Sequence, residues 1–459
     1  MIELTLGRVG QIIFANCPQE LAQLTVSRVC TDSRQIRRGD LFFALAGQNF
    51  DAHDFLPQAF EASAAAAVVE KDHIRPGDLP LLKVASVRTA LGQLAKAVRR
   101  ELKCHVVAIT GSNGKTTTRG MLAAILKQAG KVCEAPKSFN NDIGVPLTIL
   151  AAKQDDDFLL SEVGTNHPGE IAYLGQIVQP HLAIITSASA SHLEGFHNSL
   201  EAIAQEKAAL LDHLVPGGLA IINGDQPVLC KAVMDKPVRK ALFGQTPGLM
   251  WQSRDVRLGP DGSVFRAADD LQVRLKVPGR HNVSNALAAL VAAGALGATP
   301  EQIITGLGDF ELPAMRLQTQ QIGGIIIIND AYNANPASMA AALEVLKLRP
   351  PQAGGRKVAV LGDMLELGQQ AQELHRQLGQ SVAASSLDLL ITSGPLSEFI
   401  ARGAVEAGLD KQAVKTFGND DADFAKIADL LRPGDTVLLK ASRAMRMERF
   451  IVALENRGT

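Results

Sequence analysis

Residues 106–118 read VVAITGSNGKTTT, and their types and spacing can bind a nucleoside triphosphate. An apolar run enters a Gly-rich turn, followed by residues suited to open a helix. Backbone N–H groups of Gly111, Ser112, Asn113, Gly114 and Lys115 can converge on phosphate oxygens, aided by the helix N-terminus. Lys115 would neutralise the β- and γ-phosphates and the Thr116 hydroxyl would ligate Mg²⁺, with Thr117 beside it. The loop is the short form G-x-x-G-K-T, because Ile109 stands where the longer G-x-x-x-x-G-K-[ST] form has glycine. Farther on, Glu162 ends the run FLLSEV, which puts its carboxylate at the carboxyl edge of a sheet, where open α/β sheets bind ligands. His192 follows AIITSAS near the same edge if that sheet is parallel. Lys207, in SLEAIAQEKAAL, by itself reads as a solvated helix lysine.

These residues need a scaffold. CHVVAIT is a buried-strand pattern, and residues 116–129 predict a helix with Met121, Leu122, Ile125 and Leu126 on one face. Short apolar strands are expected at 157–163, 181–186 and 218–222, then irregular antiparallel strands over 244–277 and a packed helix over 282–296. Before the loop, Leu91, Leu94, Ala95, Val98 and Leu102 mark a helix ending near Lys103, and 64–69 reads as a helix end entering a buried strand. After it, strands at 324–328, 357–361, 387–392 and 436–440 alternate with helices at 336–348, 369–384, 395–407, 420–431 and 444–455. Gly and Pro at 310–314 and Gly323–Gly324 punctuate a join. The expected fold is α/β in three domains. Residues 1–103 form a mixed α/β domain, 104–313 a central P-loop domain with a parallel sheet, and 314–459 a Rossmann-like doubly wound domain.

A chain of 459 residues allows about three domains. Its 46 Lys and Arg against 47 Asp and Glu give a net charge of −1, which exerts no pull on nucleic acid or an anionic membrane. Aromatic residues at 4% leave little for base stacking. The 5 cysteines are scattered and form no C-x-x-C pair, so neither a disulfide framework nor a zinc knuckle is expected. The opening MIELTLGRVG lacks a basic-then-apolar leader, and the longest apolar stretch, 286–298, is short of the ~20 residues of a membrane span. The expectation is a soluble cytoplasmic monomer.

TGSNGKTTT closely resembles the phosphate loop of the Mur ligase superfamily, ATP-dependent amide-forming enzymes of peptidoglycan synthesis with folylpolyglutamate synthase relatives. Four further strings resemble its dipeptide-adding branch: SFNNDIGVPLTIL, SEVGTNHPGEIAYL, NDAYNANPASM and AVLGDMLELG. The resemblance covers essentially the whole chain. It implies transfer of the γ-phosphate of ATP to UDP-N-acetylmuramoyl-tripeptide, then attack by D-alanyl-D-alanine on the acyl phosphate. It also implies site residues. Glu162 and His192 would ligate magnesium with Thr116, and Lys207, as a carbamate, would help hold a second Mg²⁺. His281, Asn282, Asn285, Asp330 and Tyr332 would contact the nucleoside, and Arg316 would reach the γ-phosphate, sharing the catalytic role with Lys115, His192 and Lys207. Ser33 and Arg34 would contact the uridine nucleotide; Asn140, Asn141, Thr165 and Asn166 would border the muramoyl peptide; Asp363, Met364 and Glu366 would meet the dipeptide. Lys440, Ser442 and Arg443 face either substrate or sheet edge. The chain departs from the family at Ala52, within Asp-Gly-His, and at Ala441, within Lys-Gly-Ser-Arg. Folate-adding relatives share the chemistry but resemble the family mainly in the last two domains. A nucleotide switch would need no acceptor at all.

Overall fold

The computed structural model of the chain describes residues 3–457 apart from 48–49, 71–79, 137 and 268–269. The segment TDSRQIRRGDLFFALAGQNFDAHDF (31–55), which carries Ser33, Arg34 and Ala52 and resembles the family's uridine-nucleotide segment, includes residues 48–49 and so lies partly outside the described residues. The largest sheet has 7 strands, all in parallel register, with His105–Thr110 between Leu182–Ile185 and Phe158–Glu162. Alternate residues of one strand point to opposite faces. Val106 and Ala108 accordingly join one buried cluster, while Val107 and Ile109 join another with Met121, Leu122 and Ile125 of helix Lys115–Leu126. Burial on both faces is why these strands read as unbroken apolar runs.

Arg239–Gly244 extends this sheet as a further parallel strand that the sequence reading left out, and an antiparallel sheet of 3 strands (Arg254–Leu258, Ser263–Arg266, Gln272–Leu275) follows. A second large sheet has 6 strands: Gln318–Ile322, Ile325–Asn329, Thr436–Lys440, Lys357–Gly362, Leu389–Ser393 and Val414–Phe417. Only its first pair is antiparallel. Gly323 and Gly324, read as punctuation around the join, instead make the turn of that pair, with φ of +54 and +78 suited to glycine.

The N-terminal part has a parallel sheet of 4 strands and a helix, Val87–Glu101, that packs on the middle sheet's helices. Arg99, buried at this junction, donates from Nε to the Val178 carbonyl (2.7 Å) and from Nη2 to the Gln179 carbonyl (2.6 Å). These carbonyls end helix Glu170–Val178, where cationic donors are favoured. Ala52 is accommodated in the short 3₁₀ turn Ala52–Phe55, whose cap Asp51 accepts from the His53 N–H at 2.9 Å. Ala441 packs against Gly362, where a Cβ would lie 2.7 Å from its own. No helix of the described residues is long and apolar enough to cross a membrane.

Candidate active site at the domain interface

The carboxyl ends of both large sheets open into one cleft of about 1580 Å³. On one side lie the phosphate loop, Glu162, Thr186, Ser187 and His192; on the other, Arg316, Asp330, Tyr332, Glu366 and Lys440. In each sheet this edge lies where a later strand inserts beside an earlier one, the usual ligand position of such folds.

The phosphate loop is held by hydroxyls of the segment after Leu182–Ile185. Thr186 Oγ1 donates to the Asn113 carbonyl (2.5 Å), and the Asn113 N–H donates to Ser187 Oγ (2.8 Å). Ser112 Oγ donates to the Ser189 carbonyl at 3.1 Å. Gly111, at φ +150, leaves no room for a Cβ against Thr186, and Gly114, at φ +85, none against Asn285. Thr186 and Ser187 escaped the sequence reading, although two hydroxyls ending a buried strand are a usable signal. Lys115 Nζ donates to the Gly111 carbonyl at 2.5 Å. Burial pushes its pKa down, Glu162 opposing and the Arg316 charge adding to that shift.

Behind the loop, Thr116 Oγ1 donates to Glu162 Oε2 at 3.1 Å. Glu162 is 0% exposed, and Arg119 Nε lies 3.3 Å from its Oε1. Arg119, another residue missed from sequence, supplies the countercharge that lets a carboxylate stay buried there. Lys207 is 3% exposed, contrary to the solvated-lysine reading, because helix Leu200–Ala208 is packed among neighbouring segments that include helices Glu170–Val178 and Pro227–Val233. Burial first, then the Lys115 charge, lowers its pKa to about 7, Glu206 opposing. Its ammonium has no hydrogen-bond partner among the described residues. Lys207 is not among the residues that line the cleft, although the Lys115 charge reaches it.

The C-terminal side closes over this floor. Arg316 Nη2 donates to Thr116 Oγ1 at 3.2 Å, its guanidinium lying 4.1 Å from the Tyr332 ring centre. Asn113 and Asn335 exchange amide bonds at 2.8 and 3.2 Å. His192 Nδ1 lies 2.5 Å from Glu366 Oε2, and this contact holds the Glu366 carboxyl below its ordinary pKa. Asp330 is itself held, by Lys440 Nζ on Oδ2 (2.5 Å) and by the Leu317 N–H on Oδ1 (3.0 Å). Lys440 therefore faces Asp330 from inside the cleft, with Ser442 and Arg443 also in the lining. His281 lies near Asp330 and Lys440; burial is the main cause that lowers its pKa to about 4. Asn282 lies inside its helix and donates to the Pro278 carbonyl at 2.7 Å, while its Oδ1 accepts from Asn285 at 3.2 Å.

Several expected substrate residues also make hydrogen bonds within the fold. Asp363 accepts from the Ser397 N–H at 2.7 Å, and Met364 is fully buried, its N–H bound to His375 Nε2 at 2.9 Å. Neither lines the main cleft, although Met364 and Glu366 line a smaller pocket beside it. Asn141 Oδ1 accepts from the Gly144 N–H (2.9 Å) at the start of helix Gly144–Ala151, and Thr165 Oγ1 donates to the His167 carbonyl (2.8 Å). Asn140 and Asn166 remain in the lining. Ser33 and Arg34 lie away from it on an exposed turn, Arg34 paired with Asp32 at 2.9 Å.

Among the described residues no three His, Cys, Asp or Glu side chains gather as a metal cage. The hard oxygens of Thr116 and Glu162 nevertheless fit Mg²⁺, which keeps water and phosphate oxygens as its remaining ligands. His192, with its Nδ1 beside the Glu366 carboxylate, adds an imidazole to the same side of the cleft as Thr116 and Glu162.

Family models match the chain in three places: "Mur ligase family, catalytic domain" over residues 25–99, "Mur ligase middle domain" over 109–293 and "Mur ligase, glutamate ligase domain" over 315–443. A UDP-N-acetylmuramoyl-tripeptide–D-alanyl-D-alanine ligase from Escherichia coli is 35% identical over 467 residues, 100% of each chain. MurF from Acinetobacter baumannii superposes with a TM-score of 0.88 at 32% identity, over 99% of both chains. MurF from Thermotoga maritima in complex with ADP gives 0.82 at 30% identity, covering 94% of this chain and 97% of its own. Full-length identity at this level, with all three family segments in order, means that the chain belongs to the Mur ligase family.

Proposed function

We propose that this chain joins D-alanyl-D-alanine to UDP-N-acetylmuramoyl-tripeptide at the expense of ATP, giving the pentapeptide, ADP and phosphate. The observation that carries the reading is the meeting of Arg316 with Thr116 at 3.2 Å. It brings a cation of the C-terminal domain onto the phosphate loop of the middle one. The full-length likeness to the ligases described above selects the substrates.

The tripeptide carboxylate attacks the γ-phosphorus, the bond to the β-phosphate oxygen breaks, and ADP leaves. The dipeptide amine then attacks the acyl carbon; phosphate departs with the bonding electron pair and the amine loses a proton. Loop N–H groups and Lys115 hold the phosphates, and Lys115 with Arg316 offsets charge on the transferring group. Asp330 and Tyr332 receive the ribose and base beside His281, Asn282 and Asn285. Asn140 and Asn166 border the muramoyl peptide, Ser33 and Arg34 the uridine nucleotide, and Glu366 the dipeptide. Magnesium held by Thr116, Glu162 and His192, with a second ion at Lys207 as its carbamate, would supply Lewis-acid charge between anionic reactants. A buried lysine with a pKa near about 7 has the neutral fraction that adds to carbon dioxide, which supports the carbamate.

The test is phosphate release with Mg²⁺-ATP, omitting each acceptor in turn. Release that needs both, with a pentapeptide product by mass, is expected. Nucleotide binding with acceptor-independent hydrolysis would overturn the ligase reading.

A further inference from the structure

Helix Pro336–Leu348 spans the cleft and is fastened to the middle domain at both ends. Its 13 residues cover roughly 20 Å. At the N-terminal end, Asn335 caps it through Ser338 and exchanges amide bonds with Asn113 of the phosphate loop. Near the other end, Val345 packs at Gly279, where a Cβ would meet Val345 Cγ2 at 3.0 Å. Just past the helix, Arg349 Nη2 donates to the Pro260 carbonyl at 3.0 Å and pairs with the Asp261 carboxylate. Pro260 and Asp261 form the tip of an antiparallel hairpin whose turn is closed by the Gly259 N–H on the Gly262 carbonyl at 2.8 Å. The Arg349 side chain is 14% exposed and Asp261 78%, so the guanidinium is inserted and the carboxylate comes to it.

The helix moves with its own domain. Met339, Leu343 and Leu346 are buried in a core shared with that sheet, and Lys357 Nζ donates to the Lys347 carbonyl at 2.8 Å. Asn335, Arg316 and Glu366 all meet the middle domain at the phosphate-loop side of the cleft. Arg349 adds an attachment at the far end of the helix, roughly 20 Å from Asn335, which resists rotation of the C-terminal domain about those contacts.

We propose that Arg349 is a positioning residue: by gripping the hairpin tip at 259–262 it seats the C-terminal domain so that Arg316 and Asp330 face the phosphate loop. Its effect on ligation rests on the function proposed above, whereas its effect on domain seating does not.

The experiment is a double-mutant cycle of Arg349→Ala and Asp261→Ala, read by ADP affinity in calorimetry, by the ATP KM and kcat of ligation, and by small-angle scattering with and without ADP. Arg349→Ala should weaken ADP binding and raise the ATP KM by about tenfold, Asp261→Ala by less, and the double variant no more than Arg349→Ala alone. Scattering should show Arg349→Ala more extended with ADP than the wild type. Unchanged ADP affinity and scattering in a folded Arg349→Ala protein would overturn the proposal, as would strictly additive effects. Should Arg349→Ala not fold, Arg349→Lys, which keeps one donor, must fall between Asp261→Ala and the wild type. Wild type that binds ADP with these couplings but ligates nothing would sink the ligase reading and leave the clasp standing.

Discussion

On the floor of the cleft, Thr116, Glu162 and Arg119 are all buried and bound to one another. On its cover, Arg316 and Tyr332 are half-buried, and Arg316 reaches the floor through one hydrogen bond. The floor's parts come from one strand and the helix packed against it, and they hold one another within the middle domain. The cover's parts become useful only through contacts that cross the interface, such as Asn113–Asn335 and His192–Glu366. Binding and charge compensation thus belong to a pre-organised half, and completion of the site to a half whose arrival can be gated.

Removing one cation from each half tests this division, and the floor should suffer most. Lys115→Ala should lower kcat/KM by roughly 10³-fold or more, with the melting temperature nearly unchanged, because the hydrogen bond its ammonium makes to the Gly111 carbonyl is offset by the cost of burying its charge. Arg316→Ala should cost about 10²-fold in kcat while ADP affinity by calorimetry changes only severalfold. Equal losses of nucleotide affinity in the two variants would break the distinction.

The two halves also differ in how legible they are in the sequence. The floor announces itself because glycines, lysine and threonines of one loop stand side by side and the flanking strand is apolar throughout. The cover is assembled from residues far apart: Asn113 and Asn335 are 222 positions apart, and no spacing reveals that they meet. Edge strands are obscure for a related reason. Gln318–Ile322, QTQQI, pairs on one side only and keeps a polar face, so it carries no apolar signature. Val414–Phe417, at the other edge, is similarly exposed. Asp363 shows a different limit of spacing. An acidic residue after a buried strand resembles a ligand, and the sequence does not show that its carboxylate also accepts from the N–H of Ser397. Lys207 could not be seen as buried from its own helix, because neighbouring segments do the burying.

Asn335 offers a finer cut, since it serves both its own helix and the floor. Asn335→Ala removes the cap and the amide pair, and should cost about 1 kcal/mol of stability in denaturant unfolding. Asn335→Ser keeps a capping oxygen but cannot reciprocate with Asn113. It should therefore melt close to the wild type while raising the ATP KM severalfold. If the serine variant binds ATP normally, the amide pair is incidental to closure.

The smallest effect concerns the proton that His281 declines. Burial lowers its pKa from 6.5 to about 4, with Lys440 of the cover adding to the shift and Asp330 opposing it. Between these values the unfolded chain binds a proton that the folded chain does not, so this residue's contribution to stability is fully present above pH 6.5 and is lost as pH falls towards 4. Relative to His281→Gln, the wild type should thus lose about two to four degrees of melting temperature between pH 7 and 4.5, and nothing between pH 7 and 8.5. Because the cover contributes to the burial, a flat difference would mean that His281 is hydrated in solution. The two halves would then stand apart until nucleotide draws them together, which would sharpen the contrast between a fixed floor and a recruited cover.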